Sequence, residues 1–181
     1  MAAPSFATIS TNERAAGVRL MAFDIDGVMT DGRIYFGPEG DHLKAFFSRD
    51  GLGLKLLGAS GVRLAIITGR DSPIVSRRAG NLGIERVLQG IDNKRQAMAD
   101  LLAGEGLAFE QAGYMGDDVV DLAVMGACGF AATVPDGHPT VRRAAHYVTT
   151  AAAGAGAVRE VCELILAAQG NWDAALAPYR T

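Results

Sequence analysis

Short apolar runs of strand length recur along the chain at 20–23, 63–67, 86–88, 112–115 and 129–133. Between them, the segments 51–59, 72–82, 94–103, 119–125 and 139–144 space their apolar residues in the helical manner. Strand alternating with helix predicts an α/β fold: a doubly wound, parallel, Rossmann-like sheet with right-handed crossovers and helices on both faces. One stretch breaks the rhythm. Residues 33–47 read as two apolar runs, Ile34-Tyr35-Phe36 and Leu43-Lys44-Ala45-Phe46-Phe47, around the turn-rich segment 37–41, which predicts a projecting β-hairpin. Towards the C-terminus an amphipathic helix is expected over 158–168 and a last turn or short helix over 172–179, giving a helical segment across 156–179. Residues 1–17 are expected to form a flexible tail, and 18–181 a single domain without repeats or linkers.

Composition narrows the classes of function. With 181 residues, 49% of them hydrophobic and 20% charged, the chain suits one domain with a substantial core. A formal net charge of −3 gives no general attraction to nucleic acid or to an anionic membrane, so an anionic ligand would need a local basic cluster. Cys128 and Cys162 have no partner at metal-binding spacing and read as buried thiols in a reducing compartment. No basic, apolar leader and no run approaching the roughly 20 apolar residues of a membrane span is found, so a cytoplasmic location is expected. His42, His138 and His146 are not spaced as ligands.

The chemistry gathers where strands end. The first strand runs into Asp24-Ile25-Asp26-Gly27, two carboxylates two residues apart at a glycine turn. In open α/β sheets, ligands bind beyond the carboxyl ends of the strands, and two acids this close call for a cation or a shared proton. Thr68-Gly69-Arg70, helix-initial Lys94 and Gly116-Asp117-Asp118 follow three further strands, so a hydroxyl, an ammonium and a second acidic cluster should meet on the same rim. Such a set can hold Mg²⁺ and a phosphoryl group. Taken singly, the acids at 117, 118 and 121 could merely favour a helix N-terminus, and Thr68 and Lys94 could be ordinary surface groups.

The ordered set Asp24 to Gly32, Ile67 to Arg70, Lys94 and Gly116 to Asp121 resembles the four motifs of the haloacid dehalogenase superfamily. That resemblance implies a phosphomonoester hydrolase with Asp24 as the phosphorylated nucleophile and Asp26 as acid/base. Thr68 and Lys94 would bind the phosphoryl group. Mg²⁺ would be held by Asp24, the Asp26 carbonyl and Asp117, with Asp118 and Asp121 as supporting acids. More narrowly, the chain is similar to the capless phosphatases acting on 3-deoxy-manno-octulosonate 8-phosphate, a lipopolysaccharide precursor, through the segments 48–53, 90–94 and 156–161 and the hairpin that stands in place of a cap domain.

The narrower similarity implies substrate contacts from Asp26, Phe47, Ser48, Arg49, Asp50, Gly51, Lys55, Arg70, Arg78 and Lys94. Lys55 stands where an arginine is expected, which keeps the charge but loses the bidentate fork, and 153–156 lacks the arginine of the corresponding segment in relatives. Arg70 favours an eight-carbon over a nine-carbon sugar acid. The resemblance also implies a homotetramer with shared active sites, in which Arg78, and with it Arg70, reaches a neighbouring subunit's substrate. Two other functions stay open: a phosphatase or phosphotransferase for another small phosphate ester, and a non-catalytic assembly module.

Overall fold

A computed structural model describes residues 9–38 and 40–180. The chain opens with helix α1 (Thr11–Ala16) and enters the sheet at β1 (Leu20–Phe23). A hairpin follows, β2 (Tyr35–Gly37) and β3 (Gly40–Leu43). Helix and strand then alternate: α2 (Ser48–Ala59), β4 (Arg63–Ile67), α3 (Pro73–Leu82), β5 (Arg86–Leu88), α4 (Lys94–Glu105), β6 (Ala112–Met115), α5 (Leu122–Met125), β7 (Phe130–Thr133), α6 (Pro139–Ala144) and β8 (Tyr147–Val148). Helices α7 (Ala157–Ala168) and α8 (Trp172–Leu176) complete the order.

The large sheet runs β5-β4-β1-β6-β7-β8 with every pairing parallel. Strand direction of growth reverses at β1: the chain first builds outward through β4 and β5, then returns to add β6, β7 and β8 on the other side. That reversal opens a crevice beyond the carboxyl ends of β1 and β6. The central strands β1, β4, β6 and β7 are buried on both faces apart from Arg63, as the interior of a parallel sheet requires, and the edge strands β5 and β8 are partly exposed. Met21, Phe23, Leu64, Ile66, Phe130 and Ala132 face the core shared with α1, α2, α3 and α7, while Leu20, Ala22, Ala65, Ile67, Tyr114 and Ala131 face the one shared with α4, α5 and α6.

Two expectations are corrected, and one strand went unforeseen. Residues 9–17 belong to the fold rather than to a flexible tail. A capping box between Ser10 and Glu13 starts α1, Ala15 is buried, and the Arg14 guanidinium donates to the Gly129 carbonyl at 2.9 Å. The remainder of that expected tail, 1–8, lies outside the described residues. The second hairpin strand is Gly40–Leu43, earlier than the apolar run 43–47, because the register closes tightly with Gly37 opposite Gly40. The short edge strand β8 carries too little apolar sequence to signal itself.

The segment between β8 and α7 is pinned from both ends. Glu160 on α7 accepts hydrogen bonds from the Tyr147 hydroxyl (2.7 Å), the Thr150 amide and hydroxyl (both 2.9 Å) and the Ala151 amide (2.9 Å). Gly154 donates its amide to the Val28 carbonyl at 3.1 Å and holds φ +60°. A Cβ there would stand 2.6 Å from the Asp31 amide nitrogen and 2.7 Å from the Thr30 carbonyl carbon, both backbone atoms that cannot swing aside. Gly154→Ala is therefore expected to cost at least about 2 kcal/mol, left-handed strain and clash combined. Denaturant unfolding of the two proteins measures it, and a loss below about 0.5 kcal/mol would contradict this account of the close approach.

Candidate active site

Asp24 follows the last residue of β1, and its amide continues the ladder by donating to the Met115 carbonyl at 3.0 Å. One carboxylate oxygen accepts from the Ile25 amide and the other from the Lys94 ammonium, each at 2.7 Å. Lys94 opens α4, whose start is fixed by the Asn93 side chain accepting from the Gln96 amide. Its ammonium makes a second bond, 2.7 Å long, to Asp121. Asp121 is wholly buried and fully engaged: one oxygen also takes the Tyr114 hydroxyl at 3.0 Å, and the other takes the amides of Asp117 and Asp118 at 3.0 and 3.2 Å. Asp121 thereby shapes the turn that presents Asp117.

These groups carry more negative charge than Lys94 cancels. Burial raises the Asp24 carboxyl above its ordinary range; Lys94 opposes that rise and Asp121 reinforces it. Asp117 is pushed up to about 7, first by burial and then by Asp24, Asp121 and Asp118. Burial pulls the Lys94 ammonium down, but Asp24 and Asp121 outweigh it and hold it above its ordinary value, so it stays charged. Oxygens of Asp24, Asp117 and Asp121 lie within 4.8 Å of one another. The turn after Asp26 presses on this cluster. Gly27 has φ +90°, and a Cβ on it would sit 2.2 Å from an Asp117 oxygen. Excess charge on hard oxygen donors suits a dication such as Mg²⁺. Asp121 takes two hydrogen bonds on each oxygen and so fills its four acceptor sites, whereas Asp24 takes one on each and keeps a lone pair free; Asp24 and Asp117 are the side chains left to hold it.

Thr68 is buried one step beyond β4, next to β1 in the sheet, and its hydroxyl makes no hydrogen bond among the described residues. Asp118 is exposed and caps the Val119 amide at 2.7 Å. Asp26 belongs to a second charged group. One of its oxygens accepts from Lys44 at 2.5 Å, and the other lies 3.8 Å from the Arg70 guanidinium. Asp41 pairs with both Lys44 and Arg70. Sequence reasoning missed Lys44 and Asp41. The available signal was a lysine inside the apolar hairpin run.

The other expected substrate contacts divide. Arg70 is ion-paired with Asp26 and Asp41 of the same chain, at the edge of the acidic cluster. Phe47, Ser48 and Arg49 form the start of α2, half-buried to exposed, with Arg49 over the Phe47 ring at 5.7 Å. Asp50 bonds through one oxygen and leaves the other without a hydrogen-bond partner. It is 2% exposed and accepts from the Arg159 amide at 2.8 Å, so it caps α7, and burial raises its carboxyl despite that bond. Gly51 is buried beneath Arg78, whose guanidinium also lies over Phe46 at 5.5 Å. Lys55 is exposed further along α2 and lines a cleft against α8 with Asn171 and Tyr179.

No protein-family model matches the chain. A 3-deoxy-D-manno-octulosonate 8-phosphate phosphatase, KdsC, from Yersinia pestis is 47% identical over 90% of this chain and 87% of its own length. The chain belongs to the KdsC phosphatase family. The Moraxella catarrhalis KdsC-type phosphatase, solved in complex with magnesium ion, phosphate ion and KDO, superposes with a TM-score of 0.91 at 46% identity, over 93% of this chain and 97% of that one. The cobalt-bound Haemophilus influenzae enzyme gives 0.86 at 39% identity, over 88% and 93%. The parallel sheet with its small hairpin is thus the fold of capless haloacid dehalogenase phosphatases.

The raised Asp117 carboxyl has a measurable consequence. Its folded value, about 7, exceeds that of an unfolded aspartate, so protonation favours the folded state. This contribution is complete below about pH 4 and is lost as pH rises through about 7. In chelator, the melting temperature is expected to fall between pH 6 and pH 8, and saturating Mg²⁺ should remove most of the fall. Thermal scans at both pH values check this; a chelated protein equally stable at each would refute the charge surplus.

Proposed function

We propose that the protein is a Mg²⁺-dependent phosphomonoesterase that converts 3-deoxy-D-manno-octulosonate 8-phosphate to the free sugar acid and phosphate, a step towards lipopolysaccharide precursor. The observation that carries this reading is the buried Asp24–Lys94–Asp121 array beside Asp117 in a chain of the KdsC family. Mg²⁺ would be held by the carboxylates of Asp24 and Asp117 and the carbonyl of Asp26. When bound, it supplies charge neutralisation for the phosphate and keeps the nucleophile ionised.

The chain's own residues carry the two steps. A carboxylate oxygen of Asp24 attacks phosphorus, the phosphorus–oxygen ester bond breaks, and Asp26 gives its proton to the departing sugar oxygen. Without that proton a sugar alkoxide is a poor leaving group, and general acid catalysis contributes roughly 10²–10⁴-fold. Asp26 then takes a proton from water, which attacks the aspartyl-phosphate and releases phosphate. Lys94, fixed by two carboxylates, meets charge on the phosphoryl oxygens without having to reorganise. Thr68 has its hydroxyl free to donate to the same group. Asp118 and Asp121 support the turn that carries Asp117. Arg70, at the edge of the cluster, is the cation nearest Asp26 besides Lys44 and faces the sugar acid.

Asp24→Asn is expected to fold normally and to lose at least about 10³ in kcat, since nucleophile and one metal ligand go together with little change in volume. A panel of eight- and nine-carbon keto-sugar acid phosphates and hexose phosphates, assayed with Mg²⁺, tests activity and substrate at once. Near-wild-type turnover by the variant would remove Asp24 as nucleophile. No turnover of any ester by the wild type would leave the non-catalytic assembly module.

The reading extends to assembly and place. We propose a homotetramer, in which the hairpin's exposed Ile34, Tyr35, Phe36 and Leu43 are covered by neighbours. Arg78, half-buried with its Nε unpaired, would reach the substrate of the adjacent subunit. Mixing Asp24→Asn and Arg78→Ala proteins, with subunit exchange verified by mass, is expected to raise activity above the sum of the separate variants. Activity equal to that sum, or a fully active monomer, would defeat the shared site. No described helix is long and apolar enough to cross a membrane. Two buried free thiols, Cys128 and Cys162, accord with a cytoplasmic location.

A further inference from the structure

Lys44 follows β3 at the base of the hairpin, and its side chain is 1% exposed. Burying an ammonium is costly unless it is paired and hydrogen-bonded. Its partners are Asp26 Oδ1 at 2.5 Å and Asp41 Oδ2 at 3.4 Å. Arg70 binds the other oxygen of Asp41 and lies 3.8 Å from Asp26 Oδ2. Two cations and two acids therefore meet at one spot, joining the hairpin to the turn after β1.

The two oxygens of Asp26 are treated differently. Oδ1 takes the Lys44 ammonium and, more weakly, the Thr30 hydroxyl at 3.5 Å. Oδ2 is buried and has no hydrogen-bond partner. The terminal torsion of an aspartate is broad and roughly two-fold, so the side chain does not fix the plane of its own carboxyl group. An external clamp on one oxygen is what determines where the other one faces.

We propose that Lys44 is the positioning residue for the acid/base Asp26: by holding Oδ1 it presents Oδ2 as the oxygen that hands a proton to the leaving group. The inference rests on the phosphatase reading above and adds to it an assignment for the hairpin, which delivers this lysine. In the step concerned, the Asp24 oxygen–phosphorus bond forms, the ester bond breaks, and the proton on Asp26 Oδ2 passes to the departing oxygen. In this role Lys44 acts through Asp26 and not on phosphorus or the leaving group directly. Its effect should therefore scale with how badly the leaving group needs a proton.

The test uses full-length protein with Mg²⁺ and a series of substituted phenyl phosphates, compared by kcat/KM, which reports only steps up to departure of the phenol. Lys44→Met is made alone and with Asp41→Asn, the pair relieving the surplus charge that the single change leaves in the hairpin. The expected result is a loss of about 10²-fold on phenyl phosphate and less than about 10-fold on p-nitrophenyl phosphate, whose phenolate leaves unaided. Asp26→Asn should show the same steepened dependence, and adding Lys44→Met to it should cost little more. Equal losses along the series would make Lys44 a hairpin anchor and overturn the proposal, as would failure of both Lys44 variants to fold. A loss confined to the sugar-acid ester would make Lys44 a substrate contact instead and would also overturn it. Failure of the wild type on that ester alone would sink the substrate assignment while the aryl series still decides the role of Lys44.

Discussion

A single buried ammonium organises this protein's rim. Lys94 sits between Asp24 and Asp121, which come from opposite sides of the point where the sheet reverses its growth. Removing either partner would strand a charge in a poorly hydrated place, a far larger penalty than the pair's net worth. The arrangement therefore enforces the meeting of β1, α4 and the turn after β6, and sets the register of everything that projects from them. Because Asp121 is consumed in the task, the remaining acids stand in surplus. That surplus gives the site its appetite for a dication.

A second constraint works beside the first. The backbone turn after Asp26 comes so close to Asp117 that only a residue without a side chain fits at 27. Asp24, the turn and Asp117 are thus packed against one another with little slack, and tight packing is what keeps preorganised dipoles aimed when charge moves. The hairpin adds a cation from outside the sheet. Lys44 and Arg70 reach Asp26 from different elements, so its surroundings differ from those of Asp24 only two residues away.

Much of this was legible in the sequence, for identifiable reasons. Apolar runs of strand length located five sheet strands almost to the residue, because a parallel sheet buried on both faces needs continuous apolar sequence. The motif acids were visible because carboxylates at buried strand ends are expensive and thus conspicuous. Asp50, by contrast, looks like a ligand in the run Ser48-Arg49-Asp50-Gly51, yet it caps a helix more than a hundred residues later, a long-range bond that no local pattern encodes. Lys44 hid for the opposite reason. Inside an apolar hairpin run a lysine resembles an ordinary solvated position, and only the folded chain shows it turned inward. The α1 capping box lay in plain view at Ser10 and Glu13, but the apolar content around it was too thin to announce a helix.

The cap that Asp50 places on α7 has a bearing on the order in which the protein comes into being. Asp24 precedes the elements that enclose it: β6 brings Asp117 later in the sequence, and α7 must still dock on α1 and α2 and hold its preceding segment against Thr30 and Asp31. During synthesis, then, the first strand and its two acids emerge long before their neighbours exist. Until 157–168 has left the ribosome, Asp50 lacks the amide it caps and the turn after β1 lacks its lateral support. The site should therefore assemble abruptly once 157–168 is available to dock, and not accumulate strand by strand.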